Sequence, residues 1–131
     1  MSDYTIVNLL EIDDSVEGRM PGLEGRFSRK HLGSRDLGVS HWRYAPSTRN
    51  SGSHSHREQE EAYVVSGSGR VRLDDEVRDI RQWDVVRVAP EVVRAFESGP
   101  DGLELIAVGG PKPEGGDGVR SDSPWPDTAE G

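Results

Sequence analysis

A regular alternation of short apolar runs and turn residues dominates the middle of this 131-residue chain. Valine-rich runs recur at intervals of roughly ten residues, separated by glycine, proline or paired aspartates. Such spacing is typical of an all-β sandwich or barrel built from short strands. The pattern predicts strands near residues 37–45, 60–66, 70–74, 76–80, 83–89, 92–97 and 103–108.

The two ends of the chain differ from this middle part. Residues 4–10 form an apolar run that predicts a first strand, and the imperfect alternation of residues 26–32 predicts an edge strand. From residue 110 onwards glycine, proline, aspartate and serine prevail, which predicts a flexible tail on which Trp125 could dock. We therefore expect N-terminal strands and a loop at 1–36, a barrel core at 37–109 and a Gly/Pro-rich tail at 110–131.

Composition narrows the class of function. The net charge of −8 argues against nucleic acid or an anionic membrane as a partner. With no cysteine, the chain has neither disulfides nor a thiol nucleophile. The first residues lack the features of a signal peptide, and no stretch is long enough to span a bilayer. We expect a cytoplasmic protein, and a homodimer, because two-fold dimers are the commonest soluble assembly.

One short segment concentrates the residues that could carry chemistry. His54 and His56 are two positions apart, so on an extended backbone both imidazoles project from the same face. A glutamate follows, and then an apolar run that ends at Gly67. Two imidazoles and one carboxylate can form a 2-His-1-carboxylate metal site. Counting back from Gly67 favours Glu60 as the carboxylate, with Glu61 as its close competitor on the other face of the strand.

The order His54-x-His56, Glu60 and Gly67 resembles the first signature motif of the cupin superfamily. One departure is that the family's glycine before the first histidine falls at Thr48. The resemblance implies a single-domain double-stranded β-helix, or jelly-roll barrel, with a small cavity. It also implies a divalent transition metal (Fe, Mn, Ni or Zn) held by the two histidines and Glu60.

The second cupin motif is degenerate in this chain. In the frame that keeps the strand lengths, the family's fourth ligand, a histidine, becomes Arg94, and its asparagine becomes Ser98. Shifting the frame by one residue to use Pro90 puts Ala95 at the ligand position, so neither frame restores a histidine. The resemblance covers about residues 37–109. In the second motif, only the spacing of the strands supports it.

Arg94 therefore decides how the site is interpreted. An arginine stays charged and cannot donate a lone pair to a metal. Three arrangements remain open: a three-ligand metal with Arg94 binding an anionic substrate, a metal-free pocket with Arg94 paired to Glu60, or Arg94 on the outer face. Phe96 shares the face of Arg94 and would give a cavity there an aromatic side.

The function that follows is a metal-dependent protein acting on a small, anionic organic molecule, with Arg94 and Phe96 binding that molecule. For an enzyme, the cupin resemblance most readily suggests oxygen-dependent oxidation or isomerisation. A metal-free or non-catalytic barrel that binds or senses a small ligand is the alternative, and a purely structural barrel comes third. Cupins host many chemistries, so the resemblance does not fix the substrate.

Overall fold

The computed structural model describes residues 3–128, nearly half of which form one curled antiparallel sheet of eight strands. The strands are β1 (Leu23–Phe27), β2 (Gly38–Tyr44), β3 (Ser53–His56), β4 (Glu61–Leu73), β5 (Glu76–Arg81), β6 (Val85–Val88), β7 (Arg94–Gly109) and β8 (Gly118–Ser121). The helical elements are one α-helical turn, α1 (Arg29–Leu32), and two 3-10 turns, Leu9–Glu11 and Pro126–Thr128. Across the described range, every helix is too short or too polar to cross a membrane.

Two long strands, β4 and β7, form the centre of the sheet and pair from Glu61 opposite Gly109 to Leu73 opposite Arg94. On one side β2 pairs with β7 and β1 with β2, whereas β5 and β6 pair with β4. The short strand β3 meets β7 at a single residue pair and pairs along its whole length with β8. The last strand of the chain therefore holds the strand that carries both motif histidines.

A bulge between Gly67 and Gly69 bends β4 in the middle. Gly67 has a φ of +95°, a conformation that favours glycine. A Cβ on Gly69 would lie only 2.1 Å from the carbonyl oxygen of Glu97. The sequence pattern predicted a turn here, but β4 continues through the bulge and merges the predicted strands 60–66 and 70–74. The predicted strands 92–97 and 103–108 are merged in β7 in the same way.

The core consists of aliphatic and aromatic side chains that alternate along the two central strands. Val65, Val71 and Leu105 are each at most 1% exposed. The rings of Tyr63 and Phe96 pack with their centroids 4.8 Å apart. Each fully buried side chain of this size stabilises the fold by about 1.5–3 kcal/mol. The core therefore lies against the inner face of the paired strands β4 and β7.

The N-terminal predictions need correction, whereas the strand predicted at 37–45 is confirmed as β2. Residues 4–8 form no strand in the described structure, and the predicted strand at 4–10 ends in a 3-10 turn. Its apolar side chains find no sheet partner, and Ile6 is 89% exposed. The predicted edge strand at 26–32 ends early, because β1 stops at Phe27 and helix α1 follows until Gly33, whose φ is +64°.

The segment predicted to be a flexible tail folds onto the barrel between residues 117 and 127. Strand β8 lies there, and the indole N–H of the buried Trp125 donates to the Asn50 carbonyl at 2.9 Å. Arg72, only 3% exposed, donates to the carbonyl and the hydroxyl of Ser123, each at 2.7 Å. Local composition could not indicate these contacts, because their partners are far away in the sequence. The end of the predicted tail, residues 129–131, lies outside the described residues.

Candidate functional site

Three side chains bring their potential ligand atoms together. His54 and His56 on β3 and Glu61 at the start of β4 each offer one atom, and these atoms lie within 4.8 Å of one another. Oε1 of Glu61 is 3.1 Å from Nε2 of His56 and 3.9 Å from Nε2 of His54. Both imidazoles therefore project from the same side of β3, as their spacing predicted.

The structure places Glu61 in this cluster, and not the predicted Glu60. Glu60 lies just before β4, is exposed, and forms an ion pair with Arg87. Alternation along β4 directs Glu61, Tyr63 and Val65 into the barrel, opposite to the predicted parity. The physical reason is burial. This parity places Tyr63 and Val65 in the core, whereas the predicted parity would have placed the smaller pair Ala62 and Val64 there.

Asp117, in the segment predicted to be a tail, fixes the orientation of His56. Its Oδ1 lies 2.9 Å from Nδ1 of His56, and its Oδ2 accepts the backbone N–H groups of Glu58 and Gln59 at 2.8 and 2.7 Å. Burial opposes ionisation of Asp117, but the hydrogen bonds from His56 and the two backbone groups lower its pKa to about 2. The ionised Asp117 accepts a hydrogen bond from Nδ1–H of His56, so the Nε2 lone pair of His56 is directed at Glu61.

The other ring nitrogen of His56 provides a test of whether a cation fits. The buried Nε2 finds no hydrogen-bond partner among the residues that the structure describes, although Glu61 Oε1 is 3.1 Å away. With the proton on Nδ1, two atoms that both carry lone pairs face each other. Only a shared proton or a cation between them relieves this arrangement. Two imidazoles and a carboxylate are a donor set that divalent transition metals accept, so the residues fit such an ion.

The protonation of His54 agrees with this fit. Burial and the charge of Arg94 lower the pKa of His54 to about 4, so His54 is neutral at neutral pH. Burial opposes ionisation of Glu61, but its interactions with His56 and with the Tyr63 hydroxyl lower its pKa. The Tyr63 hydroxyl lies 2.5 Å from Oε1 of Glu61 and fixes that carboxylate. The interaction with Glu61 raises the pKa of His56 despite burial.

Arg94 lies beside the cluster and is 0% exposed. Its Nη1 is 3.6 Å from Oε1 of Glu61, and its Nη2 donates to the Ala89 carbonyl at 3.0 Å. Nε and Nη1 form no hydrogen bond with any described residue. This placement excludes the outer-face arrangement and leaves the other two: Arg94 binds an anion, or it pairs with the carboxylate of the cluster, which is Glu61 and not Glu60.

Two cavities border His54. One has a volume of about 290 Å³ and is lined by Arg94 and several aromatic side chains, including the buried Phe96. The other is a larger cleft of about 1060 Å³ that His56, Glu61 and Asp117 also line. The aromatic side predicted from Phe96 is therefore present next to Arg94, and His54 is the candidate ligand residue that lines both cavities.

Comparisons with known proteins agree with the fold. The family model of the Cupin domain matches residues 40–109. The cupin protein BF4112 from Bacteroides fragilis is similar, with a TM-score of 0.68 and 20% identity over 86% of each chain. The polyketide cyclase RemF from Streptomyces resistomycificus has a TM-score of 0.65 and 18% identity over 82% of this chain and 78% of that one.

A longer protein contains the same fold. Oxalate decarboxylase from Bacillus subtilis has a TM-score of 0.70 and 21% identity, covering 88% of this chain but only 32% of the decarboxylase. No curated protein matches the sequence. The predicted all-β jelly-roll barrel is confirmed. At such identities the likeness shows the fold alone, and the names of these proteins already cover different reactions.

Proposed function

The chain belongs to the cupin family, and on that premise we propose that it binds one divalent transition metal ion through His54, His56 and Glu61. The observation that carries the proposal is the buried Nε2 of His56. It faces a carboxylate oxygen at 3.1 Å, while Asp117 occupies the other ring nitrogen. Fe, Mn, Ni and Zn are all compatible with this donor set.

The second half of the proposal is a small anionic organic molecule bound beside the metal ligands. Arg94 supports it, because a buried guanidinium with two unpaired nitrogens favours an anion within reach. Phe96 lines the same cavity and supplies apolar contact. When bound, the metal would supply a Lewis acid or a redox centre. An enzyme of the oxygenase or isomerase type is the catalytic form of this proposal.

A metal-free barrel that binds or senses a small ligand is the second candidate function. The observation that favours it is the approach of Arg94 Nη1 to Glu61 Oε1, at 3.6 Å. In this account the guanidinium provides the positive charge that a metal ion would otherwise provide. Closing the pocket is then the role of Arg94.

We further propose, for either candidate, a cytoplasmic homodimer, which light scattering and fractionation would test.

Titration of metal into chelator-treated protein, purified without an affinity tag, tests the first candidate. We expect one Mn²⁺, Fe²⁺ (without oxygen), Ni²⁺ or Zn²⁺ per chain, measured by calorimetry. His56→Ala and Glu61→Gln should abolish binding. The matched control is Glu60→Gln, which removes the adjacent carboxylate outside the cluster and should leave the affinity unchanged. Equal losses from Glu60→Gln and Glu61→Gln would contradict the proposed ligand set.

The Arg94→His variant separates the two candidates. If a metal binds, an imidazole at this position adds a ligand and removes a neighbouring positive charge, so the affinity should rise. If the wild-type protein binds none of the four metals, the metal-binding proposal fails and the ligand-binding barrel remains.

A further inference from the structure

We infer that the cavity beside Arg94 takes a carboxylate whose single charged group contacts the guanidinium and whose body is an aromatic ring or an apolar group of similar size. The inference rests on the proposed function, because both place an anion next to Arg94. Three features of the cavity carry it: the unpaired donors of the arginine, the aromatic lining, and the sign of the charges around the cavity.

The donors come first. Arg94 has no exposed surface, and its single hydrogen bond runs from Nη2 to the Ala89 carbonyl. Nε and Nη1 have no hydrogen-bond acceptor in the described part of the chain. Buried polar groups in proteins are nearly always paired, so these two donors indicate a missing acceptor. Carboxylate and phosphate groups are the acceptors that the guanidinium matches in geometry, and the carboxylate is the one with a single charge.

The lining of the cavity then limits the rest of the ligand. Five aromatic side chains border the space next to Arg94, namely Phe27, Trp42, Tyr44, Tyr63 and Phe96. The volume of about 290 Å³ is at the lower end of the range for small-molecule sites, which is about 300–1,000 Å³. The space therefore accommodates about one ring-sized group. A compact polyanion would leave the aromatic surfaces without apolar contact.

The charges around the cavity favour an anion over a neutral or cationic molecule. Among the described residues no carboxylate lines this cavity, although the whole chain carries a net charge of −8. Its charged side chains are Arg94 and Arg19, and Arg19 donates to the carbonyl of Val16 at the edge of the cavity. Glu61, 3.6 Å from Arg94, repels a further anion, so a singly charged group is favoured over a multiply charged one.

The experiment uses phenylacetate as the probe, with phenylacetamide and acetate as matched ligands that lack the charge and the ring. Calorimetry on the chelator-treated wild-type protein should show phenylacetate binding at least roughly tenfold more tightly than either. The Arg94→Met variant should lose the preference for phenylacetate over phenylacetamide. The control Arg87→Met, which removes the exposed partner of Glu60, should keep it. Arg94→Lys, which retains the charge, covers the case in which Arg94→Met does not fold, and should keep part of the preference.

Two outcomes in the wild-type protein alone would overturn the inference. The first is equal affinity for phenylacetate and either matched ligand, and the second is no phenylacetate binding with or without Mn²⁺. Metal binding is measured separately, without phenylacetate. Metal binding with no preference for phenylacetate rejects the inference and leaves the metal site. The preference without metal binding rejects the metal site and leaves the pocket.

Discussion

Two buried arginines on the paired central strands, Arg72 on β4 and Arg94 on β7, have opposite surroundings. They are 3% and 0% exposed. Arg72 donates from Nε to the Asp74 carbonyl and from its terminal nitrogens to the carbonyl and the hydroxyl of Ser123, at 2.7 to 3.0 Å. Arg94 donates one hydrogen bond, and two of its nitrogens have no acceptor within the described residues.

The difference separates two uses of the same side chain. Arg72 connects the barrel to the C-terminal segment, and its hydrogen bonds are complete within the protein, so its role is to hold the fold together. The hydrogen bonds of Arg94 are incomplete, and an unpaired buried donor carries a free-energy penalty that a bound ligand could remove. A fully paired buried arginine therefore indicates structure, and an underpaired one next to a cavity indicates a site.

The comparison fails first if Arg72 can be removed without loss of stability. Arg72→Met removes three hydrogen bonds to Asp74 and Ser123, each worth about 1 kcal/mol, so we expect the free energy of unfolding in urea to fall by about 3 kcal/mol. The control Arg78→Met removes an exposed arginine paired with Glu76 on β5, and should change stability by no more than about 0.5 kcal/mol. A loss below about 1 kcal/mol for Arg72→Met would show that the segment is held by other contacts.

The C-terminal segment also reaches the candidate metal site through Asp117. Asp117→Asn keeps the shape of the side chain but removes the charge that orients His56, so the affinity for metal should fall about 10- to 100-fold. Asp122→Asn, an exposed position in the same segment, is the control and should leave the affinity unchanged. Equal affinities for both variants and the wild-type protein would mean that Asp117 serves only the fold.

The stability of the Arg94→Met variant tests the second half of the comparison, namely that Arg94 does not hold the fold together. Removing Arg94 takes away two buried donors that form no hydrogen bond, and Glu61 keeps its contacts with Tyr63 and His56. We therefore expect the free energy of unfolding to change by less than about 1 kcal/mol, in contrast to Arg72→Met. A loss of several kcal/mol would instead support the metal-free candidate, in which Arg94 is the partner that Glu61 requires.

The smallest expected effect is a change in the surroundings of Trp125 at low pH, near the end of the C-terminal segment. Burial opposes ionisation of Glu97, but the guanidinium groups of Arg49 and Arg70 lower its pKa, and they also lower that of Asp127. Since these pKa values are lower in the folded state, the stabilisation is present above the ordinary values near 4 and is lost as the pH falls through the lowered values. We expect a small red shift of the Trp125 emission below pH 4, absent in Trp125→Phe. Unchanged emission down to pH 2 would contradict it.

Most of the fold was predictable because its signal is local. The two-residue alternation and the valine content mark strands wherever they occur, and β2 is confirmed. The breaks predicted between strands 60–66 and 70–74 and between strands 92–97 and 103–108 were wrong, because a glycine bulge and a turn have the same composition. Whether the chain bends or reverses at such a point depends on which strands pair across it, and pairing is not local.

The site was only half predictable for the same reason. The spacing of His54 and His56 indicated a shared face, which the structure confirms. Counting back from Gly67 favoured Glu60, whereas the burial of Tyr63 favours Glu61, and these two signals had to be weighed against each other. Asp117 could not be found at all, because it lies 61 residues from His56 in a segment whose composition indicates a loop.

The pairing of β3 with β8 has a consequence for the timing of assembly. During synthesis the two histidines leave the ribosome more than sixty residues before the strand that holds them along its whole length. Until then β3 has one residue pair with β7 to keep it in place. Long-range pairing of this kind forms late in folding, because closing a long loop costs entropy before any contact repays it. We therefore expect nascent chains that stop before residue 117 to be barrels without a formed metal site.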